Sequence, residues 1–180
     1  MLHYPDPPLT GLGFVLRPYG LHDVEADLAA VEHPSSARWV NSHSTGDPAG
    51  EVRMLEAELA ADRMLVLTIA DPDDDRYLGA IVLFAREAET GELAYVVAPE
   101  ARGRGLAPRA LRALGDWAFT ELGMQRLQLR IEPGNEVSHA VALRAGYERE
   151  GTLRSAFVVR GRRADVVMYS RLPTDRAVGS

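Results

Sequence analysis

The chain has 180 residues, of which 46% are hydrophobic and 26% charged, with a formal net charge of −6 and no cysteine. This composition predicts one globular domain with a hydrophobic core, and the negative charge argues against a general nucleic-acid binder. Without cysteine there is no disulfide, no thiolate nucleophile and no cysteine-ligated zinc. No apolar run approaches the roughly 18 residues of a membrane span, and residues 1–8 lack a signal-peptide pattern. We therefore expect a cytoplasmic protein that binds neither membrane nor nucleic acid.

Hydrophobic periodicity and turn residues divide the chain into alternating strands and helices. In chain order the pattern predicts a strand (13–18), two helices (21–31 and 51–62), three strands (64–70, 77–85 and 93–97), a long helix (107–122), a strand (125–131), a short helix (137–145) and two final strands (152–160 and 164–172). The single domain is expected to cover residues 9–173, with flexible termini at 1–8 and 174–180.

The connection between the third of these central strands and the long helix is the most informative part of the chain. Its residues are Arg102, Gly103, Arg104, Gly105, Leu106 and Ala107. The glycines allow a sharp turn that leaves backbone N–H groups exposed, and a helix N-terminus adds unpaired amides with a partial positive charge. Pro108 fits the first helical turn, where a missing N–H leaves no gap. The connection therefore predicts a binding site for a phosphate or pyrophosphate.

Two familiar glycine-rich phosphate loops do not match this connection. A P-loop requires a lysine followed by serine or threonine, and no such lysine is present. The dinucleotide fingerprint requires a third glycine where Pro108 stands, and it normally opens its domain. The pattern Arg/Gln-x-x-Gly-x-Gly/Ala does match, at Arg102, Gly105 and Ala107. It resembles the coenzyme A pyrophosphate loop of the GCN5-related N-acetyltransferase (GNAT) family.

The order of predicted elements also resembles that of GNAT proteins, over nearly the whole chain. The similarity is greatest to the RimJ/RimL-type branch, whose members acetylate N-terminal α-amines of ribosomal proteins. Three segments carry it: 95–100 before the phosphate loop, 135–147 with Asn-x-x-Ser and Ala-Gly-Tyr, and 150–170 with Glu-Gly-x-Leu-Arg. The resemblance implies an α/β GNAT fold, with a mixed, mostly antiparallel sheet, a splayed central strand pair and flanking helices.

Acetyl-coenzyme A is the co-substrate that the resemblance implies, with no metal ion. The amides of residues 103–107 would face its pyrophosphate, and the side chains of Arg102 and Arg104 would add charge-assisted contacts. Asn135 would lie against the pantetheine arm, although a helix cap is an alternative and compatible role. The implied pantetheine contacts on the splayed, bulged strand are Tyr95, Val96 and Val97.

The resemblance also implies direct attack of an amine on the thioester, with three groups assisting. The N–H of Val97 is the candidate donor to the oxyanion. Many GNAT enzymes place a tyrosine seven residues after the asparagine, but that position is Ala142 in this chain. Ser138 is therefore the candidate donor to the leaving thiolate. The alternative role for Ser138 is to cap the helix. Glu92, expected at the start of the central strand, is the candidate base; a solvated hairpin-end glutamate is the alternative.

The polar stretch 35–47 is expected to help form the acceptor pocket, with Trp39 as its wall or else as a core aromatic. His33 precedes this stretch and His43 lies within it, and neither has the neighbours that a metal site needs. His139 is expected to be exposed on the short helix.

Proton energetics favour one acceptor class. An α-amine with a pKa near 8 loses its proton at pH 7 for about 1.4 kcal/mol, whereas a lysine costs about 4.6 kcal/mol. The sequence therefore favours a peptide or protein N-terminal α-amine. The alternatives are a small amine, such as an aminoglycoside or amino-acid derivative, and a catalytically silent acyl-coenzyme A-binding module. The terminal hairpin, 152–172, offers a strand edge through which a homodimer would pair.

Overall fold

The computed structural model describes residues 1–40, 47–159 and 161–175. Within these residues, the strands are β1 (Leu9–Gly11), β2 (Phe14–Pro18), β3 (Met64–Ala70), β4 (Tyr77–Arg86), β5 (Thr90–Val97), β6 (Arg126–Ile131), β7 (Glu148–Val159) and β8 (Arg162–Arg171). The helices are α1 (Val24–Glu32), α2 (Pro34–Ala37), α3 (Pro48–Ala60), α4 (Leu106–Thr120) and α5 (Glu136–Arg144), with 3-10 turns at Leu21–Asp23 and Pro99–Ala101.

All the strands belong to one sheet with the order β1-β2-β3-β4-β5-β6-β8-β7. Neighbouring strands are antiparallel except for β5 and β6, which run parallel. This arrangement confirms the predicted α/β fold with a mixed, mostly antiparallel sheet.

The sheet opens between β5 and β6. Their pairing is limited to Thr90–Glu92 opposite Arg126–Gln128, whereas β5 stays paired with β4 as far as Val97. The register between β4 and β5 runs from Gly79 to Arg86 without a shift. The expected splay is therefore present, but it comes from the loss of pairing to β6, and the expected bulge is absent from this pairing.

Helices cover both faces of the sheet. Thr68 of β3 donates a side-chain hydrogen bond to Asp23, immediately before α1. On the opposite face, Leu127 of β6 lies 3.2 Å from the position that a Cβ on Gly115 of α4 would take. Because side chains alternate between the faces of a strand, the register assigns α1 to one face and α4 to the other.

Helix α4 packs through one stripe of small and apolar side chains. Its buried positions include Leu106, Ala110, Leu111, Leu114 and Ala118, which recur three or four residues apart and so share one helix face. This stripe joins the sheet residues in a continuous hydrophobic core. The first residue of that stripe follows the phosphate loop directly, so packing of the helix holds the loop in place.

Several element boundaries differ from the sequence prediction. Strand β1 and helix α2 were not predicted, and α3 begins at Pro48, three residues early. Strand β5 begins at Thr90 and β7 at Glu148, because each is paired there with a neighbouring strand. Pairing in the sheet overrides the weak strand preference of Gly and Glu.

The N-terminal segment also differs from its expected flexibility. Leu2 is buried in the core, and the ring of His3 lies 5.4 Å from that of Trp117. In the described part of the chain, no helix is long and apolar enough to cross a membrane.

Candidate active site

A cleft of about 650 Å³ lies on the α1 and α3 face of the sheet and reaches into the gap between β5 and β6. Its floor includes Val66, Val82 and Ala94, whose register places them on this face. Its lining continues to Tyr95 and to Ser138 of α5, which belong to the other face. This volume lies within the usual range of small-molecule sites, and the gap joins the two faces.

Backbone amides of β5 face the gap. Ala98, just after β5, donates its N–H to the carbonyl of Leu78 in β4 at 2.9 Å. In an antiparallel pair, alternate residues direct their N–H and C=O groups to the partner strand. Tyr95 and Val97 therefore point the other way, and Arg102 Nε indeed reaches the carbonyl of Val97 at 3.0 Å. The amide of Val97, the predicted oxyanion donor, faces the gap together with that of Tyr95.

The phosphate loop has the geometry of an anion site. Gly103 and Gly105 have φ of +76° and +67°, a left-handed region in which glycine avoids steric cost. Gly105 is the N-cap of α4. Among the described residues, the amides of Gly103, Arg104 and Gly105 donate to no backbone carbonyl. The Arg109 guanidinium donates to the carbonyl of Arg104 at 2.9 Å, which fixes the loop, so these residues fit a pyrophosphate group.

The two arginines of the loop have different surroundings. Arg102 donates to the carbonyl of Val97 and to the hydroxyl groups of Ser35 and Ser36. Its side chain thus ties α2 to the end of β5, and its contact with phosphate stays a prediction. Arg104 donates to no group in the described part of the chain, so it is the loop side chain with donors left for an anion.

Helix α5 brings Asn135 and Ser138 to the gap. The Asn135 side chain accepts the N–H of Ser138 at 3.2 Å, which makes it the N-cap of α5, and it also lines the cleft. The Tyr95 hydroxyl donates to Ser138 Oγ at 3.2 Å. Burial raises the pKa of Tyr95, so its proton is retained at neutral pH. This bond leaves the Ser138 proton free to point into the gap.

Glu92 is buried within β5, instead of lying at its start or at a solvated hairpin end. Its Oε1 accepts from Arg130 Nε at 2.8 Å and Nη2 at 2.5 Å. Its Oε2 accepts from Arg86 at 3.3 Å and Gln128 at 3.4 Å. A carboxylate has about four lone-pair sites, and four donors surround this one. Because its two bonds are longer, Oε2 is the oxygen that an amine or a water can approach.

The spacing along β5 constrains how these groups act together. Five residues separate Glu92 from Val97, which corresponds to about 17 Å of strand, whereas Tyr95 is about 10 Å away. A base at Glu92 therefore fits better with an oxyanion donor at Tyr95, or acts through water.

Trp39 is half-buried and lines the cleft, with Arg38 stacked on its ring at 4.5 Å. The remainder of the predicted acceptor loop, residues 41–46 with His43, lies outside the described residues. His33 caps α2 through its ring nitrogen. Among the described residues, no three His, Asp or Glu side chains are grouped to hold a metal ion.

His139 is more enclosed than predicted. Its Nε2 lies 3.2 Å from the carbonyl of Pro133 and its Nδ1 3.1 Å from the Tyr169 hydroxyl. Since a carbonyl only accepts, Nε2 carries the proton and Nδ1 accepts from Tyr169.

Sequence reasoning missed several residues of the cleft. They are Tyr19, Asp27, Glu51, Arg86, Arg130 and Phe157. A signal existed for Arg130, because Gln128 and Arg130 alternate on one face of β6 beside Glu92. No comparable signal existed for Asp27. The sequence places it in a helix, but only the packing of α1 on the sheet decides that it faces the cleft.

Comparison with known proteins agrees with this geometry. Residues 14–148 match the family model of the acetyltransferase (GNAT) domain. The chain therefore belongs to the GNAT family of acetyltransferases, which use acetyl-coenzyme A as the acyl donor.

Three related proteins indicate the range of the family. YdaF of Bacillus subtilis, named as a ribosomal N-acetyltransferase, is 40% identical over 87 residues, which cover 48% of this chain and 46% of YdaF. The match thus spans about half the length of that relative. Spermidine N(1)-acetyltransferase of Escherichia coli K12 is 33% identical over 70 residues, 39% of this chain and 38% of the enzyme. Mycobacterium smegmatis RimJ, solved with CoA-disulfide, has a TM-score of 0.75 at 25% identity, covering 89% of this chain and 82% of RimJ.

Proposed function

We propose that this acetyltransferase acts on the N-terminal α-amine of a peptide or protein. The observation that carries the proposal is the cleft, which leads from the α1 and α3 face to the unpaired amides of β5 and has Glu92 on its wall. YdaF, whose name describes a ribosomal N-acetyltransferase, supports a protein acceptor.

The donor side is formed by the phosphate loop and α5. The amides of residues 103–107 and the guanidinium of Arg104 would hold the pyrophosphate, and Asn135 would contact the pantetheine arm. The amides of Tyr95 and Val97 are placed to donate to the acyl carbonyl oxygen, and a preorganised donor of this kind contributes about 3–4 kcal/mol. When bound, acetyl-coenzyme A supplies the activated thioester.

Proton transfer is assigned to Glu92 and Ser138. Glu92 Oε2 would accept the proton of the attacking amine, directly or through one water. An α-amine gives up its proton at pH 7 for about 1.4 kcal/mol. A carboxylate that already accepts a hydrogen bond from Arg86 can therefore deprotonate an α-amine more easily than a lysine. Ser138 would donate a hydrogen bond to the leaving sulfur, with its hydroxyl oriented by Tyr95.

Direct attack by the amine fits the residues at the gap better than a covalent enzyme intermediate. The chain has no cysteine. The Ser138 hydroxyl contacts a tyrosine hydroxyl, and a serine nucleophile needs an adjacent base.

A thiol-release assay tests the proposal. The panel contains peptides with a free N-terminus, the same peptides with an acetylated N-terminus, an aminoglycoside and a linear polyamine. We expect release only with free amines, and the highest kcat/KM with free N-termini. Binding of acetyl-coenzyme A without release across the panel would instead favour the silent acyl-coenzyme A module.

Replacement of the base gives a sharper outcome. Glu92→Gln should lower kcat about 100-fold or more, with the exposed Glu87→Gln at the β4–β5 turn as its control. Thermal unfolding of both variants separates lost catalysis from lost folding. Unchanged turnover by a folded Glu92→Gln variant on the best acceptor would exclude Glu92 as the base.

A further inference from the structure

Asp27 of α1 is a carboxylate without a cationic partner on the acceptor side of the cleft. It accepts a hydrogen bond from the Tyr77 hydroxyl at 2.5 Å and a longer one from the Tyr19 hydroxyl at 3.5 Å. Both donors are neutral, and Tyr19 lines the cleft together with Asp27. Burial raises the pKa of Asp27, and the tyrosine hydrogen bonds oppose that effect.

Other enclosed carboxylates of this molecule are paired with arginine. Asp23 lies 2.7 Å from Arg17, and Glu92 lies 2.5 Å from Arg130. In the described ranges of the chain, no Arg or His nitrogen lies within 4 Å of Asp27, and the charged groups that act on it are the acidic Glu51 and Asp23. A desolvated charge is costly without a partner. The missing positive charge can come from a molecule in the cleft.

The position of Asp27 separates it from the reacting amine. Its partner Tyr77 begins β4, whereas Ile81 of β4 lies opposite Tyr95 and Phe84 lies opposite Glu92. Four residues of strand correspond to about 13 Å. Asp27, which Tyr77 contacts through its hydroxyl, therefore lies toward the opposite end of β4 from Glu92, so a cation held there is a second group and not the amine that Glu92 deprotonates.

We infer that Asp27 binds a second cationic group of the acceptor, so that the preferred acceptors carry a positive charge besides the reacting amine. This inference rests on the proposed N-acetyltransferase function. Two sources share the required chemistry: a basic side chain next to a peptide N-terminus, and the distal amine of a linear polyamine. The apolar floor of the cleft suits the methylene chains of both.

The unaltered protein gives the first arm of the test. We compare two tripeptides, Ala-Arg-Gly and Ala-Gln-Gly, with a linear triamine as the second source of a dication. The arginine peptide, the triamine or both should exceed the glutamine peptide in kcat/KM by about tenfold. Equal kcat/KM for all three acceptors would overturn the inference, and the ratio of peptide to triamine distinguishes the two sources.

The second arm uses Asp27→Asn, with Glu25→Gln as the matched control. Glu25 lies on the same helix and is exposed, so its replacement removes the same charge outside the cleft. Asp27→Asn should abolish the preference for the dication through KM, and Glu25→Gln should keep the preference. If Asp27→Asn lowered kcat/KM equally for charged and uncharged acceptors, the inference would be overturned.

A binding measurement separates this inference from catalysis. The N-acetylated forms of the two tripeptides cannot react, so calorimetry with them reports the cation site alone. The acetylated arginine peptide should bind about tenfold more tightly than the glutamine peptide, and Asp27→Asn should remove that difference. If turnover is absent but this difference is present, the proposed reaction fails while the cation site stands. If the two acetylated peptides bind with equal affinity, Asp27 does not bind a cationic group and the inference is wrong.

Discussion

At the gap between β5 and β6, the hydrogen bond between two side chains decides how one of them can act. Tyr95 and Ser138 come from different elements, and their hydroxyl groups meet at 3.2 Å. Because Ser138 Oγ accepts from Tyr95, its own proton points elsewhere, and the cleft is the open direction. Tyr95 is thus placed to orient the hydroxyl group of Ser138.

A double-mutant cycle tests this coupling. Tyr95→Phe keeps the ring but loses the hydroxyl, and it should lower kcat about three- to tenfold, the value of one hydrogen bond. Ser138→Ala should lower kcat by at least as much. The double variant should be no slower than Ser138→Ala, because Tyr95 then has no serine to orient. If the losses in kcat were additive, Tyr95 would not act through Ser138, and the two hydroxyl groups would have independent roles.

The elements of the site depend on how closely β4 and β5 approach. A Cβ on Gly79 would lie 2.3 Å from the carbonyl oxygen of Val96, which is closer than two such atoms can come. Gly79 therefore holds β5 at the position from which Tyr95 and Val97 face the gap.

Gly79→Ala should displace β5, lower the melting temperature and weaken acetyl-coenzyme A binding together. Overpacking of this kind costs about 1–3 kcal/mol. Gly134→Ala is the control, because a Cβ there would make only an ordinary 3.6 Å contact with Trp39. Denaturant unfolding gives the stability and calorimetry the affinity. A Gly79→Ala variant with normal affinity would show that the position of β5 does not limit donor binding.

Prediction from the sequence worked where the signal is local. The phosphate loop and α4 follow from glycines, a proline and one apolar helix face, all within 20 residues. The salt bridge between Glu92 and Arg130 was missed, because it depends on the parallel register of β5 and β6. Asp27 was missed for the same kind of reason, since the packing of α1 on the sheet decides which helix residues face the cleft.

At the scale of the whole molecule, the groups proposed to bind the donor and the acceptor lie on opposite faces of the sheet. The phosphate loop and α5 belong to the α4 face, whereas Asp27, Trp39 and α3 line the opposite face, and the β5–β6 gap joins them. Donor binding should therefore depend on the loop and be independent of charge elsewhere on the surface.

Thermal stabilisation by acetyl-coenzyme A measures this dependence without an acceptor. At a concentration of about 100 times Kd, a ligand stabilises the folded state by about 2.7 kcal/mol, or about 5–10 °C for a domain of this size. Arg104→Ala removes one charge-assisted contact, and a tenfold weaker Kd would reduce the stabilisation at that concentration to about half. Arg154→Ala, an exposed residue of β7 away from the loop, should keep the full shift. Equal shifts for both variants would mean that backbone amides alone hold the pyrophosphate and that Arg104 makes no contact with it.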